Sequence, residues 1–252
     1  MFTTNPFTEL APMLSTGTMQ TFVIVMVLLV VGGTIFDVIH KKSGKYFFEN
    51  MERAKKNGAR EVSGGEKATI AIKVLSSEVL TSSEFCNPRR RIAHLLTMYG
   101  FIAFAAASVA LIFCDTASTI WPLLWHLGAL GVAIGGYWFW FFIRVDVAAE
   151  GNSPFRVMRA DLFILSLIAT STFALLWSAF GGMILFGLFI LSTVVLFGGV
   201  PWSKFAHMFF KPAAAFEKKL SVADGTMNNL PPPADAPEQF GLGIKRSAPK
   251  NY

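Results

Sequence analysis

The stretch MQTFVIVMVLLVVGGTIFDVI, residues 19–39, decides the fold class. It holds one charged side chain, Asp37, and neither Lys nor Arg. A helix of about 20 apolar residues is long enough to cross the ~30 Å hydrocarbon core of a bilayer, so the stretch predicts a transmembrane helix. A removable signal peptide would start with a positively charged segment, and residues 1–20 carry no Lys or Arg. We therefore expect the helix to be retained.

Four further runs without Lys or Arg follow along the chain. They cover residues 95–113, 120–143, 162–180 and 183–200. Hydrophobic residues make up 53% of the chain and charged residues 15%, against the ~25% charged that is usual for soluble domains. The turn pair Gly181 and Gly182 separates the last two runs. The sequence thus predicts an all-α integral membrane protein, a bundle of about five transmembrane helices.

The positive charges predict the orientation of this bundle. Of the 22 Lys and Arg residues, twelve lie in 40–93, three in 144–161 and seven after residue 200. These segments all fall on one side of a five-helix chain. Because Lys and Arg collect on the cytoplasmic side of a membrane, we expect the N-terminus outside and the C-terminus in the cytoplasm.

The predicted organisation has five parts. They are an outer N-terminal segment at 1–18, the first crossing at 19–39, a basic cytoplasmic loop at 40–93, a four-helix bundle at 94–200 and a cytoplasmic tail at 201–252. The loop begins with helical character, and its second half could be a strand or a short amphipathic helix. The tail from Lys218 onward has the Pro- and Gly-containing composition of a flexible segment. The basic residues of the loop could serve topology and attraction to anionic lipid, or the docking of an acidic soluble partner, and we expect no nucleic-acid partner.

The two cysteines do not predict a disulfide or a metal cluster. Cys86 and Cys114 fall on opposite sides of the membrane in this topology, which excludes a bond between them. Two isolated cysteines also lack the usual multi-cysteine spacing of zinc and iron–sulfur sites.

Two of the four histidines are expected near the cytoplasmic face, on different helices. His94 opens the second crossing and His207 follows the fifth. Two imidazoles at one depth in a bundle could supply the axial nitrogens of a haem b. Interfacial histidines without a cofactor are the alternative.

Basic and small residues flank this pair in sequence. Arg90, Arg91 and Lys204 could pair with haem propionates, although interfacial anchoring is the commoner role of such residues. Gly100, with Gly198 and Gly199 on the fifth crossing, could offer flat surfaces to a macrocycle.

His40 ends the first crossing at the same inner level, one turn after Asp37. It is either a reserve axial ligand or an interfacial histidine that bonds to Asp37 or to lipid headgroups.

His126 is expected near the outer end of the third crossing, roughly 20 Å along the membrane normal from His94. Three roles are open: a hydrogen-bonding or proton-accepting partner for a quinone, a lone ligand to a second haem, or an interhelical polar group satisfied by its neighbours. In the first case the aromatic residues around it, among them Trp125 and Tyr137, could line an apolar slot.

Two shorter patterns receive a structural interpretation. The stretch GVAIGG, residues 131–136, predicts close helix packing of the small-xxx-small kind and no nucleotide loop. Asp161, at the start of the fourth crossing, is expected to interact favourably with the positive end of the helix dipole there.

The segments RRRIAHLLTMYGF, residues 89–101, and PWSKFAHMFFKP, residues 201–212, resemble a known family. They are similar to the membrane cytochrome b subunits of the nitrate reductase gamma group. Within it they resemble the membrane parts of heterodisulfide reductase and quinone-interacting oxidoreductase complexes, and most of all the membrane anchors of adenylylsulfate reductase. The resemblance spans residues 89–212.

The resemblance implies a function in sulfur metabolism at the bacterial inner membrane. Electrons would pass between a cytoplasmic iron–sulfur or flavoprotein partner, adenylylsulfate reductase, and membrane quinone through haem b. His94 and His207 match the axial positions of the family. The second crossing lacks the further histidine of the two-haem pattern, so one haem is expected. The chain would be a non-catalytic or quinone-reacting subunit of an oxidoreductase, and a cofactor-free anchor or a small transporter are the alternatives.

Overall fold

The computed structural model describes most of the chain. The described residues are 2–10, 12–56, 58–85, 87–114, 118–144, 155–202, 207–229, 239–240 and 244–245. Within these ranges the side chains of a few residues, His207 among them, are also outside the description. The described chain is mostly helical, with short connecting segments and the two-residue strands β1, Gln239–Phe240, and β2, Ile244–Lys245, which pair antiparallel.

Among the described residues, four helices are long and apolar enough to cross a membrane, which bears out the membrane class predicted from composition. They are α1, Thr16–Lys41; α4, Pro88–Phe113; α5, Ile120–Trp138, which continues as π-helix to Ile143; and α6, Leu162–Phe180, which follows a 3₁₀ turn.

The fifth apolar run forms a shorter helix, α7, Met183–Gly198. Its 16 residues extend about 24 Å at 1.5 Å per residue, which is less than a ~30 Å hydrocarbon core. Every one of the five predicted runs is therefore helical, and four have full spanning length.

Local sequence accounts for the helix ends. Ser15 caps α1, since its side chain accepts a hydrogen bond from the amide of Thr18. Asn87 caps α4, and Pro88 occupies the first turn, where its missing N–H has no cost. Gly181 and Gly182 take φ angles of +69° and +88° between α6 and α7, which only glycine adopts readily. The predicted turn there is confirmed.

Glycines bring α4 and α5 into backbone contact. A Cβ atom at Gly100 would lie 2.8 Å from the carbonyl oxygen of Gly128, and one at Gly128 would lie 2.5 Å from the amide nitrogen of Phe104. Gly135 approaches Ala93 in the same way. The packing role predicted for the GVAIGG stretch is confirmed. The surface proposed at Gly100 for a macrocycle is wrong, because α5 already covers it.

Helix α1 lies at the edge of the bundle, with most of its apolar side chains exposed to the surroundings. The C-terminal half of α1 contacts the chain that follows α7. The contact is at Gly33, where a Cβ atom would lie 3.1 Å from Val200. Gln20, near the N-terminal end of α1, donates a hydrogen bond of 3.3 Å to the carbonyl oxygen of Ile112 at the end of α4. These contacts, together with the buried side chains of Met19 and Met26, attach α1 to the bundle.

The basic loop and the tail fold together at the end of the bundle where α1 ends and α4 begins. We call this unit the inner layer, and we use "inner" for this end of the bundle and "outer" for the opposite end. It consists of α2, Ser43–Lys56; α3, Gly64–Lys73, which continues as π-helix to Leu80; and α8, His207–Ala223, with a 3₁₀ turn after it. The second half of the loop is thus a helix and not a strand.

Part of the tail that was expected to be flexible is ordered in the inner layer. The carbonyl oxygen of Asp224 accepts hydrogen bonds from the amides of Ala59 and Arg60, at 2.8 and 3.2 Å. Lys219 forms an ion pair of 2.8 Å with Glu78 of the π-helix. The composition of the tail gave no indication of these long-range contacts. Residues 230–238, 241–243 and 246–252 lie outside the described part of the chain.

Of the two cysteines, Cys114 is exposed at the end of α4. Cys86 lies outside the described residues, so the predicted separation of the pair stays a prediction.

Candidate functional site

His94 lies in the second turn of α4 and faces the segment that follows the π-helix of the loop. Its Nδ1 atom is 3.0 Å from the hydroxyl oxygen of Ser82, and its ring centroid is 4.9 Å from that of Phe85. Ser82 is buried and adopts a positive φ of 49°, which places its hydroxyl beside α4. Nδ1 of His94 is thus engaged by Ser82.

Two further residues of α4 hold the same segment. The Nε atom of Arg91 donates a hydrogen bond to the carbonyl oxygen of Thr81 at 2.7 Å. The hydroxyl of Tyr99 donates one to the carbonyl oxygen of Leu80 at 2.6 Å. Arg91, a candidate for propionate binding, therefore serves as an anchor of the loop in this structure. Arg90, the second candidate, lies with its guanidinium carbon 5.9 Å from the Phe85 ring centroid.

The predicted partner of His94 is only partly described. His207 is the first residue of α8, and its side chain lies outside the described atoms, as does all of Lys204. The next turn of α8 is described: Lys211 is 2.5 Å from a carboxylate oxygen of Glu84 and 5.2 Å from the ring centroid of Phe85.

Phe85 is therefore a shared neighbour of His94 and of the first turns of α8. The Phe85 ring packs against the imidazole of His94 on α4, and the ammonium group of Lys211 on α8 lies over the same ring. The ion pair between Lys211 and Glu84 also holds the start of α8 close to the loop segment that contains Phe85. We call His94, Ser82, Phe85 and Lys211 the inner cluster.

His40 lies at the exposed inner end of α1. Its ring stacks on Phe36, with centroids 5.4 Å apart and planes within 7°. Asp37, one turn earlier, is buried at 6% exposure. In the structure, the His40 ring therefore contacts Phe36 of its own helix, on the apolar face of α1.

His126 is fully buried between α5 and α6. Its Nδ1 atom is 2.7 Å from the carbonyl oxygen of Pro122, and its Nε2 atom is 2.6 Å from the hydroxyl oxygen of Ser178. A carbonyl only accepts, so Nδ1 carries the proton, and Nε2 of the neutral ring accepts from Ser178. Both nitrogens are thus occupied by the bundle, an arrangement that fits the interhelical polar role among the three open ones.

The aromatic residues near His126 form a packed cluster. The Trp125 ring lies 4.9 Å from that of His126, and its indole N–H donates to Ser108 at 3.0 Å. Tyr137 is separate: it lies eleven residues along α5, about 16 Å away, and its hydroxyl pairs with Thr172 at 3.1 Å. The structure does not place His126 and Tyr137 in one slot.

The N-terminal segment covers this outer end, which sequence reasoning did not anticipate. Phe2 meets His126 edge to face at 5.1 Å, and Phe7 packs on Trp125 at 5.9 Å. Asn5 donates to the carbonyl oxygen of Leu111 at 3.2 Å. The sequence signal that could have indicated this cover is the presence of two phenylalanines in the short segment before the first apolar helix.

Sequence reasoning also missed an ion pair at the inner ends of α5 and α6. Arg144 bonds to both carboxylate oxygens of Asp161, with Nε at 3.0 Å from Oδ1, and its guanidinium lies 4.0 Å over the Trp140 ring. Both charged side chains are largely buried, at 9% and 14% exposure. The main partner of Asp161 is therefore Arg144, while the carboxylate also accepts from the amide of Met158 at 2.8 Å.

Within the described residues, no group of three or more His, Cys, Asp and Glu side chains is placed to hold a metal ion. Comparison with protein-family models, with curated proteins and with solved structures gave no match. The fold and the local geometry are therefore what bears on function.

Proposed function

We propose that the chain is a five-crossing subunit of a bacterial inner membrane, with its N-terminus outside and its C-terminus in the cytoplasm. The complete bias of Lys and Arg toward 40–93, 144–161 and the tail supports this orientation. In this topology α7 crosses with local thinning of the bilayer or with the help of the turn that follows it. The inner layer then lies in the cytoplasm and the cluster around His126 lies near the outer surface.

In this proposal the protein anchors a soluble oxidoreductase and exchanges electrons between that partner and membrane quinone. The observation that carries it is the inner cluster, where Phe85 joins His94 to the start of α8. His207 stands one turn before Lys211 on that helix, so the two proposed axial histidines come from elements that meet. A haem b bound there would supply one-electron transfer.

The residues of the inner cluster fit such a group in two respects. A hydrogen bond to the second ring nitrogen fixes the orientation of a ligating histidine, and Ser82 makes that bond to Nδ1 of His94. Arg90 and Lys211 bring positive charge to the same place, where propionates would need it. In the proposal His94 and His207 hold the iron, and His40 is the reserve ligand.

The soluble partner would dock on the inner layer. The last turn of α2 presents Arg53, Lys55 and Lys56, all exposed. Such a surface favours an acidic partner, by steering its approach more than by adding affinity. The family resemblance suggests an iron–sulfur flavoprotein, adenylylsulfate reductase, as that partner.

A reduced-minus-oxidised visible spectrum of the purified protein tests the proposal. We expect a haem b α-band in the natural protein and its loss in both His94→Ala and His207→Ala. His40→Ala, at the same level of the membrane, is the control and should keep the band. Loss of the band in His40→Ala with retention in His207→Ala would make His40 the ligand instead.

A cofactor-free anchor is the second candidate, and the polar contacts of the histidines favour it. Ser82 occupies Nδ1 of His94, and both nitrogens of His126 are bonded within the bundle. A folded, monodisperse preparation without any haem band would select this reading over electron transfer.

A further inference from the structure

An apolar cleft of about 290 Å³ lies between α1 and the rest of the bundle. It runs along residues 19–31 of α1, where Met26 is buried although most of the other side chains of the helix are exposed. The walls come mainly from α1, α4, α6 and α7, with Val132 of α5 and Phe7 before α1, and their side chains are apolar almost throughout. Its size is near the lower end of small-molecule pockets, which run from ~300 to 1,000 Å³.

The cleft opens sideways toward lipid. A second, shallower apolar groove shares Val23, Val27 and Val109 with it and continues between the outer halves of α1 and α4. Ile24 and Leu28, on the exposed face of α1, also line this groove. A molecule dissolved in the bilayer could therefore enter between the two helices without passing through water.

One polar group in the lining is left without a partner. Thr170 is 4% exposed, and its hydroxyl has no hydrogen-bond partner among the residues that the structure describes. By contrast, Ser108, Ser171 and Thr193, which also line the cleft, each bond to a carbonyl oxygen one turn earlier on their own helix. A buried hydroxyl without a partner is unfavourable unless another molecule supplies one.

Thr170 lies midway along α6, which is near the bilayer centre in the proposed topology. A lipid acyl chain has only CH₂ and CH₃ groups at that depth and cannot satisfy a hydroxyl. A quinone has carbonyl oxygens on a flat ring and an apolar tail that remains in the membrane. The rings of Phe101, Phe104 and Phe189 in the lining suit the faces of such a ring.

We propose that this cleft binds a quinone, with its ring between α1 and the bundle and a carbonyl oxygen that accepts a hydrogen bond from Thr170 after a rotation of this side chain turns its buried hydroxyl toward the cleft. The inference rests on the proposed function, because it places the quinone of that reaction. It assigns the site to the α1 cleft and away from His126, whose nitrogens are both occupied. The outer N-terminal segment then closes the cleft above, where Phe7 lines it.

Photolabelling of the full-length protein in vesicles tests the site. The probe is a quinone analogue with an azide on its ring, and the labelled peptides are identified by mass spectrometry. We expect label on α1 between residues 19 and 31 or on α6 around Thr170, with competition by excess unlabelled decylquinone. Label confined to peptides around His126, or equal competition by added phosphatidylglycerol, would overturn the assignment; the latter would mean that the cleft takes a lipid chain only.

Two neighbouring alanines on α4 supply a matched pair of variants. Ala105 lines the cleft, whereas Ala106 is exposed on the outside of the same helix. Ala105→Phe fills the cleft and should reduce specific labelling at least tenfold, and Ala106→Phe should leave it unchanged. Equal labelling of the two variants would contradict the proposal.

Thr170→Val separates binding from folding. The substitution keeps the shape and removes a hydroxyl that lacks a partner, so the melting temperature should stay level or rise. Quinone affinity should fall about fivefold, as expected for one neutral hydrogen bond. An unchanged affinity would remove Thr170 from the site. These results do not depend on the haem band, so a preparation without haem that still labels in the cleft would reject electron transfer and retain the quinone site.

Discussion

The contact between α4 and α5 and the contacts within the inner layer hold the protein by different means. Between α4 and α5, Gly100 and Gly128 let the two backbones touch, and the nearby polar side chains bond inside the bundle. In the inner layer, the ion pairs of Lys211 with Glu84 and of Lys219 with Glu78 join segments that are far apart in sequence, and the exposed pair of Arg60 with Glu66 joins neighbouring residues of the loop.

The difference follows from the solvent around each region. Lipid offers no hydrogen bonds, so helices in the bilayer associate through shape and through polar groups that satisfy one another. Water competes for every exposed charge in the inner layer, so its ion pairs are individually weak. We therefore expect substitutions in the bundle to cost more than those in the inner layer.

Gly128→Leu should have the largest effect. Even a Cβ at this position would lie 2.5 Å from the backbone of Phe104, so the helices must separate. We expect the free energy of unfolding to fall by more than the ~1–3 kcal/mol typical of overpacking, measured by thermal melting in detergent. Gly187→Leu on α7 is the control, since no described atom lies within 4 Å of its Cβ position. Equal melting of the two variants would remove backbone contact as the basis of the α4–α5 association.

Asp161→Ala should cost about 3 kcal/mol, because it leaves the charge of Arg144 largely buried without its carboxylate. The loss would appear as a lower melting temperature in nanodiscs. Glu84→Ala breaks an exposed pair and should cost less than about 1 kcal/mol. Similar losses in both variants would mean that burial does not set the difference between the two regions.

Ser178→Ala should cost about 2 kcal/mol, since Nε2 of the buried His126 loses its partner. Tryptophan fluorescence reports the melt directly, because Trp125 packs on His126. The double variant His126→Phe with Ser178→Ala removes both polar groups and should be more stable than Ser178→Ala alone. A double variant that is less stable would show that the imidazole contributes by another contact.

The smallest effect is expected on acidification of the inner layer. The hydrogen bonds from Arg60 lower the pKa of Glu66, so this pair contributes its full stability above the ordinary glutamate pKa of about 4.3 and loses it as pH falls through the lowered value. Amide hydrogen exchange of Ala59 and Arg60, corrected for the intrinsic rate, should become faster in that acidic range. Glu66→Gln should remove the dependence, and an unchanged pH profile in this variant would assign it to another group.

Much of the membrane region could be predicted from the chain because its causes are local. Apolar length predicted the helices, Gly181 and Gly182 predicted the turn, and the glycines at 131–136 predicted close packing. The proposed axial pair could not be judged in the same way, since it depends on where α8 returns to α4. The contact through Phe85 bears on that return, although the side chain of His207 lies outside the described atoms.

The contacts that sequence reasoning missed join residues far apart in the chain. His126 finds Ser178 across 52 positions, and Lys211 finds Glu84 across 127. The ion pair of Arg144 with Asp161 spans two helix ends. Composition gives the types of these side chains, but hydropathy and helical period carry no information about their partners.

By itself the sequence determined that the chain is a multi-pass helical membrane protein, because an apolar run of sufficient length has few other stable states in water or lipid. Tertiary structure alone decided that loop and tail form one inner layer, that the N-terminal segment covers His126, and that a cleft remains along α1. These features depend on which surfaces meet once the helices are packed, and helix packing is set by shape and by partners distant in sequence.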